Sequence, residues 1–487
     1  MARVKKKKAT EHYVSPSYKL QILGKERCEK IDSYARRIME EVGMIIGDPD
    51  VRSRLLDAGA KEIHNGYVSI PSCMVDKALE TVPSGFKLYT VNGELAMDVN
   101  KVNKYFGGST SSLSYVDPVT SKITTHTMET SSHVAKVADA LPNVNYLASN
   151  GLIADCDPTI AGRMNFSNTL KYTTKPMYFS PDYAPTYRDI VDLARDIKGG
   201  SDALREKPFI FGYCEPVPPF NHSGDSLKKL IICSEAGVPC VYMPYSMRGG
   251  TSPIFLAAAL AQNFAEILSG LVIQQLYYPG AAFIAGSMPT ILDMKTTTGS
   301  YGAPEFHFGI AASAEMADFY NVPFFGTAGC TDSQHLDMQT ASEVTMAILS
   351  TALTGADIVH DFGVMNHASA ISPELYVYTN EVVDMLRVYQ GGIDCSDDSF
   401  LFETIKKVGP RGHYLEEDST LCNFKQVWYS QIFDRSLTAE VAADSFTNKI
   451  KEKTLELINA PVNPDIDPAI FPILDEHEKK WKTLLNK

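Results

Sequence analysis

The feature that most constrains the fold is a regular alternation of short apolar segments and longer helical segments, which begins near residue 104. The short segments are apolar or β-branched, as buried strands are. Glycines follow three of the helical segments, at Gly237, Gly355 and Gly391, where helix C-caps belong. The predicted strands span residues 105–109, 145–150, 176–180, 209–215, 239–245, 282–287, 323–328 and 357–362. The predicted helices span residues 129–141, 159–172, 185–198, 224–236, 253–273, 304–320, 340–354 and 373–390.

Eight strand-then-helix units in succession predict an α/β fold, the TIM or (β/α)₈ barrel. The alternative is a doubly wound open sheet, which usually has fewer strands and a first turn of the form G-x-G-x-x-G. The first predicted strand is followed by Gly107-Gly108-Ser109-Thr110, which lacks that pattern. The sequence therefore favours the barrel.

The segments on either side of the predicted barrel have a different character. We expect an N-terminal α+β extension over residues 1–100, the barrel over 101–391 and a mainly helical C-terminal extension over 392–487. Residues 16–60 are predicted to be helical, with a second helix beginning at Asp48-Pro49, and a charged helix is expected over 474–486. Short strands are expected at 67–70 and 87–91 around a helix at 74–82, and Asn92-Gly93 predicts a hairpin turn.

Composition and charge exclude several classes of partner. With 44% hydrophobic and 21% charged residues the chain is globular, and its net charge of −13 opposes binding to nucleic acid or to an anionic membrane. The same charge favours cationic small molecules. The apolar stretch 255–273 contains Gln262, Asn263 and Glu266, so we interpret it as a buried helix and not as a membrane span.

The cysteines and the N-terminus indicate a cytoplasmic protein. The nine cysteines are widely spaced and form no C-x-x-C pair, which is typical of reduced thiols and not of a disulfide framework or a zinc ribbon. The N-terminus has no apolar segment typical of a secretory signal. The lysine run at residues 5–8 is interpreted as a solvated terminus, with a localisation or anion-binding tail as the alternative.

The carboxyl ends of the strands are where a TIM barrel carries its function. These ends offer no lysine suited to a Schiff base, no H-x-H or H-E-x-x-H metal pair and no G-x-S-x-G elbow. Aromatic residues there are candidates to wall a pocket, and Glu215 adds a negative charge. Such a cage suits a quaternary ammonium, since each ring contributes about 0.5–2 kcal/mol of cation–π attraction. The alternative is that the rings pack beneath loops. The aromatic candidates are Phe179, Tyr213, Tyr245 and Phe362.

Other residues at these ends have two interpretations each. His360 either acts on the substrate, as a base or a carboxylate ligand, or is a hydrogen-bonded structural histidine. Cys330 is a candidate nucleophile, but no partner base is apparent, so packing is the favoured role. Glu305 is interpreted as a first-turn acid that faces the helix dipole. Asp337 and Gln339 either line the mouth or cap the helix that follows.

Three groups of motifs resemble one known family. Asp293-Met294-Lys295-Thr296 is followed by Gly299 and by Gly302-Ala303-Pro304-Glu305. Residues 326–334 (Gly-Thr-Ala-Gly-Cys-Thr-Asp-Ser-Gln) are followed by Asp337, Gln339 and Glu343, and Gly199-Gly200 by Leu204-Arg205-Glu206-Lys207-Pro208. Together they resemble the trimethylamine methyltransferase (MttB) superfamily, over most of the chain. Asp418-Ser419-Thr420 and Asn423-Phe424-Lys425 depart from the family's pattern, in which His-Thr precedes Phe-Arg.

The resemblance implies a TIM-barrel enzyme that moves a methyl group from a methylated amine to the Co(I) of a separate corrinoid protein. Founding members carry pyrrolysine, whereas this chain uses only the ordinary twenty residues and looks like the branch without it. Substrates in that branch are quaternary amines such as glycine betaine, proline betaine, carnitine and γ-butyrobetaine. We expect glycine betaine as the substrate. We also expect a homodimer and no protein-bound metal. The corrinoid is expected on a partner protein, because the chain has no D-x-H-x-x-G motif, which ligates cobalt in corrinoid-binding domains.

The site residues follow from these expectations. No acid or base is assigned to catalysis, because a quaternary amine leaves as a neutral amine and needs only positioning. Candidates to hold a substrate carboxylate are His360, His307, Lys295, Arg248 and backbone amides. The predicted substrate-binding residues are Phe179, Tyr213, Glu215, Tyr245, His360 and Phe362. The predicted corrinoid-facing rim comprises Gly108, Ser109, Thr331, Asp332, Gln334 and Asp337.

Two other functions remain open from the residues. One is a metal-dependent barrel lyase or aldolase that uses Glu215, His360 and Asp361. The other is a non-catalytic protein that binds quaternary amines or corrinoid.

Overall fold

The eight predicted strands form one parallel sheet in a computed structural model of the protein. The structure describes residues 13–14, 19–110, 112–149, 151–435 and 445–486, so the lysine run at 5–8 lies outside the described residues. Predicted and observed strands agree, except that the fifth predicted strand is divided into Cys240–Tyr242 and a separate strand, Tyr245–Arg248. Barrel strands 1 to 8 are Asn103–Phe106, Leu147–Ala148, Met177–Phe179, Ile210–Cys214, Cys240–Tyr242, Phe283–Gly286, Phe324–Thr327 and Ile358–His360.

The sheet closes on itself. Each barrel strand pairs with the next from strand 2 to strand 8, and strand 8 pairs with strand 1 through Ile358 and Tyr105. Strands 1 and 2 meet at a parallel bridge between Gly107 and Tyr146, beside which the Asn145 amide donates to the Phe106 carbonyl at 2.7 Å. A Cβ atom on Gly107 would lie 2.5 Å from the Tyr146 ring, so glycine permits this closure. The TIM barrel is therefore confirmed, and the open sheet is excluded.

The N-terminal part covers one side of the barrel. Helix α1 (Gly24–Arg37) continues into a π-helix (Ile38–Val42), and α2 (Pro49–Asp57) and α3 (Ser72–Thr81) follow. The predicted hairpin at Asn92-Gly93 is confirmed by strands Phe86–Tyr89 and Leu95–Val99. The prediction of helix throughout 16–60 was wrong between the helices. Gly43, at φ 78°, ends the first helix, and Ile45–Ile46 pairs with Asn221–His222.

The helices around the barrel follow the predicted pattern closely. Side chains cap their first turns, as at Thr127, Ser223 and Ser372. Gly237 ends its helix in the left-handed conformation, whereas Gly391 ends its helix in the right-handed region. The helices are α4 (Met128–Ala140), α5 (Pro158–Leu170), α6 (Ala184–Lys198), the short α7 (Ser201–Glu206), α8 (Gly224–Ala236), α9 (Leu256–Tyr277), α10 (Pro304–Phe319), α11 (Met338–Thr354) and α12 (Pro373–Gln390).

The C-terminal part contains two different regions. The first holds the short helices α13 (Asp397–Phe400), α14 (Phe402–Val408) and α15 (Asp418–Asn423). The second holds α16 (Ser445–Asn459), which packs on α4 and α12, and α17 (Ile470–Lys482), which packs on α5 and α6. The expected charged helix over 474–486 therefore begins earlier, at Ile470.

Helix α9 passes a length and composition test for a membrane span. Of its most apolar 18-residue window, 83% is buried inside the protein, between α1, α3 and the barrel. It is the core helix that the polar residues Gln262, Asn263 and Glu266 predict, and all three are buried.

Short strands beyond the barrel build its mouth. Tyr245–Arg248 and Met288–Ile291 extend strands 5 and 6 as a parallel pair. Ser114–Val116, Ile123–Thr125, Val364–Met365 and Ala370–Ile371 form a small sheet that follows strands 1 and 8. The carboxyl ends of the barrel strands therefore lie beneath a layer of ordered loops.

Candidate active site

A small cavity of about 160 Å³ lies at the carboxyl ends of the barrel strands. Tyrosines and carboxylates dominate its lining, and none of its lining residues is a lysine or an arginine. It is the size of a site for one small molecule. The lining residues are Ser109, Tyr178, Tyr213, Glu215, Tyr245, Met288, Tyr301, His360, Asp361 and Ala368.

Two carboxyl groups give the cavity its charge. The Tyr213 hydroxyl donates to Glu215 Oε2 at 2.7 Å and fixes the orientation of that carboxylate. Burial removes water from Glu215 and raises its pKa above the ordinary value. Asp361 follows barrel strand 8 with φ 81°, a conformation rare for a residue with a side chain. A cation in the cavity would be attracted by both groups.

Tyrosine rings form the walls. Tyr178 meets Tyr213 edge to face with ring centroids 5.9 Å apart. Tyr245 and Tyr301 are stacked with centroids 6.3 Å apart. Ring faces attract cations through their quadrupole, so this lining adds to the attraction of the carboxylates.

His360 is held on three sides. Its Nε2 lies 2.9 Å from Thr327 Oγ1 and its Nδ1 lies 2.8 Å from Asp361 Oδ1. Its ring stacks on Phe325 at a centroid distance of 4.4 Å. Both ring nitrogens have protein partners, so this geometry favours the structural interpretation of His360 over the role of a base or a carboxylate ligand.

Four of the six predicted substrate-binding residues line the cavity: Tyr213, Glu215, Tyr245 and His360. Phe179 does not, because it packs outward against Phe166 of α5 and Tyr187 of α6. Phe362 also lies elsewhere, fully buried against Phe106. The prediction that Phe179 and Phe362 line the pocket was therefore wrong.

Six lining residues were not predicted as substrate-binding residues: Ser109, Tyr178, Met288, Tyr301, Asp361 and Ala368. A signal for Tyr178 was present, because side chains alternate along a strand. Tyr178 pairs with Phe211, two residues before Tyr213, and so points inward, whereas Phe179 points outward. Tyr301 had no such signal, since it arrives on the loop after Met288–Ile291.

Asp332 holds Tyr301 in position at the cavity. Its carboxylate accepts the backbone amides of Tyr301 and Gly302 at 2.8 and 3.0 Å and the Ser300 hydroxyl. His367 Nδ1 lies 3.0 Å from the same carboxylate. Asp332 therefore ties the loop after strand 7 to the loop that carries Tyr301, which is a positioning role.

Glu343 completes this network. Its Oε2 accepts the Thr331 hydroxyl at 2.5 Å and the Asp332 amide at 2.9 Å. The carboxylate also packs on Gly302, where a Cβ atom would approach to 2.2 Å. Motifs that are separate in the sequence, Gly302-Ala303-Pro304-Glu305 and Thr331-Asp332, thus meet in one cluster.

The predicted corrinoid-facing rim is divided. Gly108 and Thr331 are buried, so neither presents a surface to another protein, and that part of the prediction is corrected. Ser109 lines the cavity, and Asp332 holds the loops. Gln334 and Asp337 are exposed. Asp337 accepts the Thr340 amide at 2.9 Å, which confirms the helix-capping interpretation.

The remaining candidates lie outside the cavity lining. Cys330 is fully buried, and burial raises its pKa, which fits packing and not nucleophilic attack. Glu305 lies in the first turn of α10, as predicted. Arg248 and His307 are buried away from the lining, and Lys295 is exposed.

A family model described as trimethylamine methyltransferase (MTTB) matches residues 1–484. The chain belongs to this family. Its match to trimethylamine methyltransferase MttB of Desulfitobacterium hafniense (strain DSM 10664 / DCB-2) is 25% identical over 464 residues, which covers 94% of each chain. Its match to the glycine betaine methyltransferase of Desulfitobacterium hafniense (strain Y51) is 28% identical over 461 residues, 93% of this chain and 95% of the relative. These MTTB-family relatives support a methyltransferase activity.

A solved structure shares the fold of this MTTB-family protein. The hydroxylamine complex of MtmB matches with a TM-score of 0.53 at 11% identity, over 96% of this chain and 89% of that one. At that identity the likeness concerns the fold alone. It agrees with the closed barrel described above.

Proposed function

We propose that this protein transfers one methyl group from a quaternary amine to the Co(I) of a separate corrinoid protein. The observation that carries the proposal is the cavity at the barrel mouth, with Glu215 and Asp361 among four tyrosines and with no lysine or arginine in its lining. A permanent cation fits these surroundings better than an anion or a neutral molecule. Family membership supplies the type of reaction.

The reaction needs little chemistry from the chain. The N–CH₃ bond breaks, its electron pair remains on nitrogen, and a neutral tertiary amine leaves without a general acid. The Co(I) electron pair forms the new bond to carbon, so cobalt is formally oxidised to Co(III). The protein orients the amine and excludes water, which reduces the entropic part of the barrier.

The residues divide this positioning work. Glu215, fixed by Tyr213, neutralises the ammonium from one side of the cavity. Tyr245 and Tyr301 stack with each other and present rings to the N-methyl groups. His360 acts through its contacts with Thr327 and Asp361, which keep the cavity wall in place.

The methyl acceptor must come from outside. A cavity of about 160 Å³ is smaller than the roughly 300–1,000 Å³ of drug-sized ligand sites, so it holds the amine and not a corrin macrocycle. Within the described residues no three His, Cys, Asp or Glu side chains converge as metal ligands. In our proposal a partner protein carries the cobalt and docks at the mouth near the exposed residues Gln334 and Asp337.

Two kinds of quaternary amine compete as the substrate. Glycine betaine remains the first candidate, because one relative is a glycine betaine methyltransferase. The lining favours a second candidate, a quaternary ammonium without a carboxylate. None of Arg248, His307 and Lys295 lines the cavity, and both nitrogens of His360 are engaged. A betaine carboxylate would therefore depend on Ser109 and backbone amides.

One experiment tests the reaction and separates these candidates. The protein is mixed with Co(I) cobalamin, with and without a cognate corrinoid protein, and with glycine betaine, proline betaine, carnitine, γ-butyrobetaine, choline or tetramethylammonium. Methyl-Co(III) is followed by its absorbance. Methylation by any of these amines supports the proposal, and the ranking identifies the class. No methylation by any amine, despite tight binding, would favour the non-catalytic binder.

We also propose that the protein is cytoplasmic and that its reaction does not need pyrrolysine. All nine cysteines are free thiols, which suits a reducing compartment. An amine that is already quaternary leaves without the activation that pyrrolysine provides in the founding members.

A further inference from the structure

Residues 391–429, which we call the arm, contain no buried residue over 39 consecutive positions. Large apolar side chains in the arm are open to solvent, with Ile393 89%, Leu415 73% and Phe402 69% exposed. Monomeric soluble proteins rarely expose contiguous apolar surface of this kind. The arm is therefore built to be covered.

The arm is nevertheless folded. It holds α13, α14 and α15, which have between 4 and 7 residues each. Isolated helices shorter than about 12–15 residues are marginal in water, so these helices need support from another surface. Within the arm that support is limited to exposed contacts, such as Lys407 with Glu417 at 2.9 Å.

The exposed stretch has sharp boundaries. It leaves the C-terminus of α12 and returns at Ser430, whose hydroxyl donates to Glu381 of the same helix. The Gln431 amide donates to that carboxylate at 2.9 Å, and Ile432 is buried again. The arm thus begins at the end of α12, and the residues that follow it are hydrogen-bonded to the same helix.

A complementary surface lies elsewhere on the same chain. The α1–α9 groove, a depression of about 550 Å³, runs between these two helices. Its lining is mostly apolar, with Ile31, Tyr34 and Ala257 among its residues, and Arg27 and Lys30 supply its only charges. Both basic residues are exposed, and neither forms an ion pair within the described part of the chain.

The arm carries the opposite charge where its apolar residues begin. Asp394, Asp397 and Asp398 lie within five residues after Ile393, and all three are exposed. None of them forms an ion pair among the described residues. An apolar segment with an acidic start thus matches an apolar groove with a basic edge.

We propose that the arm of one copy of this protein occupies the α1–α9 groove of a second copy. Both halves of the contact are present on every chain, so the exchange is closed and reciprocal in its simplest form, a two-fold dimer. The arm alone exceeds the roughly 20–30 residues per side of a standard interface. A partner that leaves after each turnover would expose this apolar surface repeatedly, whereas a second copy covers it permanently.

Charge-reversal variants of the full chain test the proposal. The mass of the assembly is measured by light scattering over a dilution series. The wild type is expected to have a mass well above the 53.6 kDa of one chain. Asp397→Lys with Asp398→Lys, or Arg27→Glu with Lys30→Glu, should raise the dissociation constant at least about tenfold, because like charges then meet. All four substitutions together should restore assembly. Asp475→Lys with Glu476→Lys, on the exposed face of α17, is the matched control and should assemble normally.

Circular dichroism of each variant shows that the barrel still folds, as expected for substitutions at exposed positions. A covalent link gives a second measurement. The exposed thiol of Cys395 and an Ala257→Cys thiol, joined by a bismaleimide, should yield a two-chain product that Cys395→Ser abolishes. A monomeric wild type, an assembly indifferent to the arm charges, or an arm that is protected only when a corrinoid protein is added would overturn the proposal.

Discussion

The barrel mouth and the arm are two regions of one chain with opposite relations to solvent. At the mouth, side chains are paired within the chain, as in the Tyr213–Glu215 hydrogen bond and the links of Asp332 to the Tyr301 loop. In the arm, no residue is buried over residues 391–429. The contacts at the mouth form within one chain, whereas in our proposal the arm is covered by a second copy. Chemistry and assembly are therefore placed in separate regions, and each should respond to its own substitutions.

The largest expected effect comes from the charge at the mouth. Glu215→Gln keeps the shape and removes the negative charge opposite the ammonium, so kcat/KM for a quaternary amine should fall about 100-fold. Assembly mass should not change. Glu305→Gln, at an exposed acid on α10, is the control and should retain wild-type kinetics. If Glu215→Gln kept full activity, the cation would not be bound by this carboxylate.

The pH dependence of amine binding should come next in size. Burial raises the pKa of Glu215, so its carboxylate becomes protonated at a higher pH than an ordinary glutamate does. A quaternary amine does not titrate, and its affinity should be full above this pKa. As the pH falls below it, affinity should decrease by up to about tenfold per unit, as expected for one proton. Calorimetric titration across pH measures this, and Glu215→Gln should remove this part of the pH dependence.

The two neighbouring aromatic residues of barrel strand 3 should behave differently. Tyr178→Leu removes a ring of the cavity and should raise KM about three- to tenfold, in line with about 0.5–1.5 kcal/mol of cation–π attraction. Phe179→Leu should lower the melting temperature and leave KM unchanged, because Phe179 packs against Phe166 and Tyr187. Equal effects on KM from both substitutions would contradict the inward and outward directions of these side chains.

The smallest effect concerns the arm. If a second copy covers it, the melting temperature should fall by about 1–2 °C for each tenfold dilution, since assembly stabilises the folded chain by mass action. Amine affinity per site should stay constant over the same dilutions. A melting temperature that is independent of concentration would mean that covering the arm does not stabilise the protein. It would contradict the proposal that the arm serves assembly while the mouth serves binding.

Much of the barrel was predictable because its signals are local. Apolar segments, Pro and Gly positions and capping residues define strands and helices from near neighbours, and the observed barrel matches them. Glu215 and Tyr213 were found because they end a well-defined strand. The inward direction of Tyr178 required the register with Phe211, which one strand alone does not reveal.

The rest of the site depends on contacts between distant segments. Tyr301 reaches the cavity because Asp332, 31 residues further along the chain, accepts its backbone amide. The sequence marked both motifs but gave no reason for them to meet. The arm shows a similar limit. Its helical character agrees with the expected C-terminal extension, but a helical pattern does not say whether the apolar residues face their own chain or another.

The seam of the barrel has a consequence for how the protein tolerates change. Barrel strands 1 and 2 are joined by a bridge at Gly107 and by the Asn145 amide, and a side chain at position 107 would meet the ring of Tyr146. Displacing that ring would part the two strands and convert a cylinder, which has no free edge, into a sheet with two. Free edges pair with other chains and lead to aggregation. The absence of a side chain larger than hydrogen at Gly107 thus helps to keep the eight-stranded barrel closed, with no free edge for other chains to pair with.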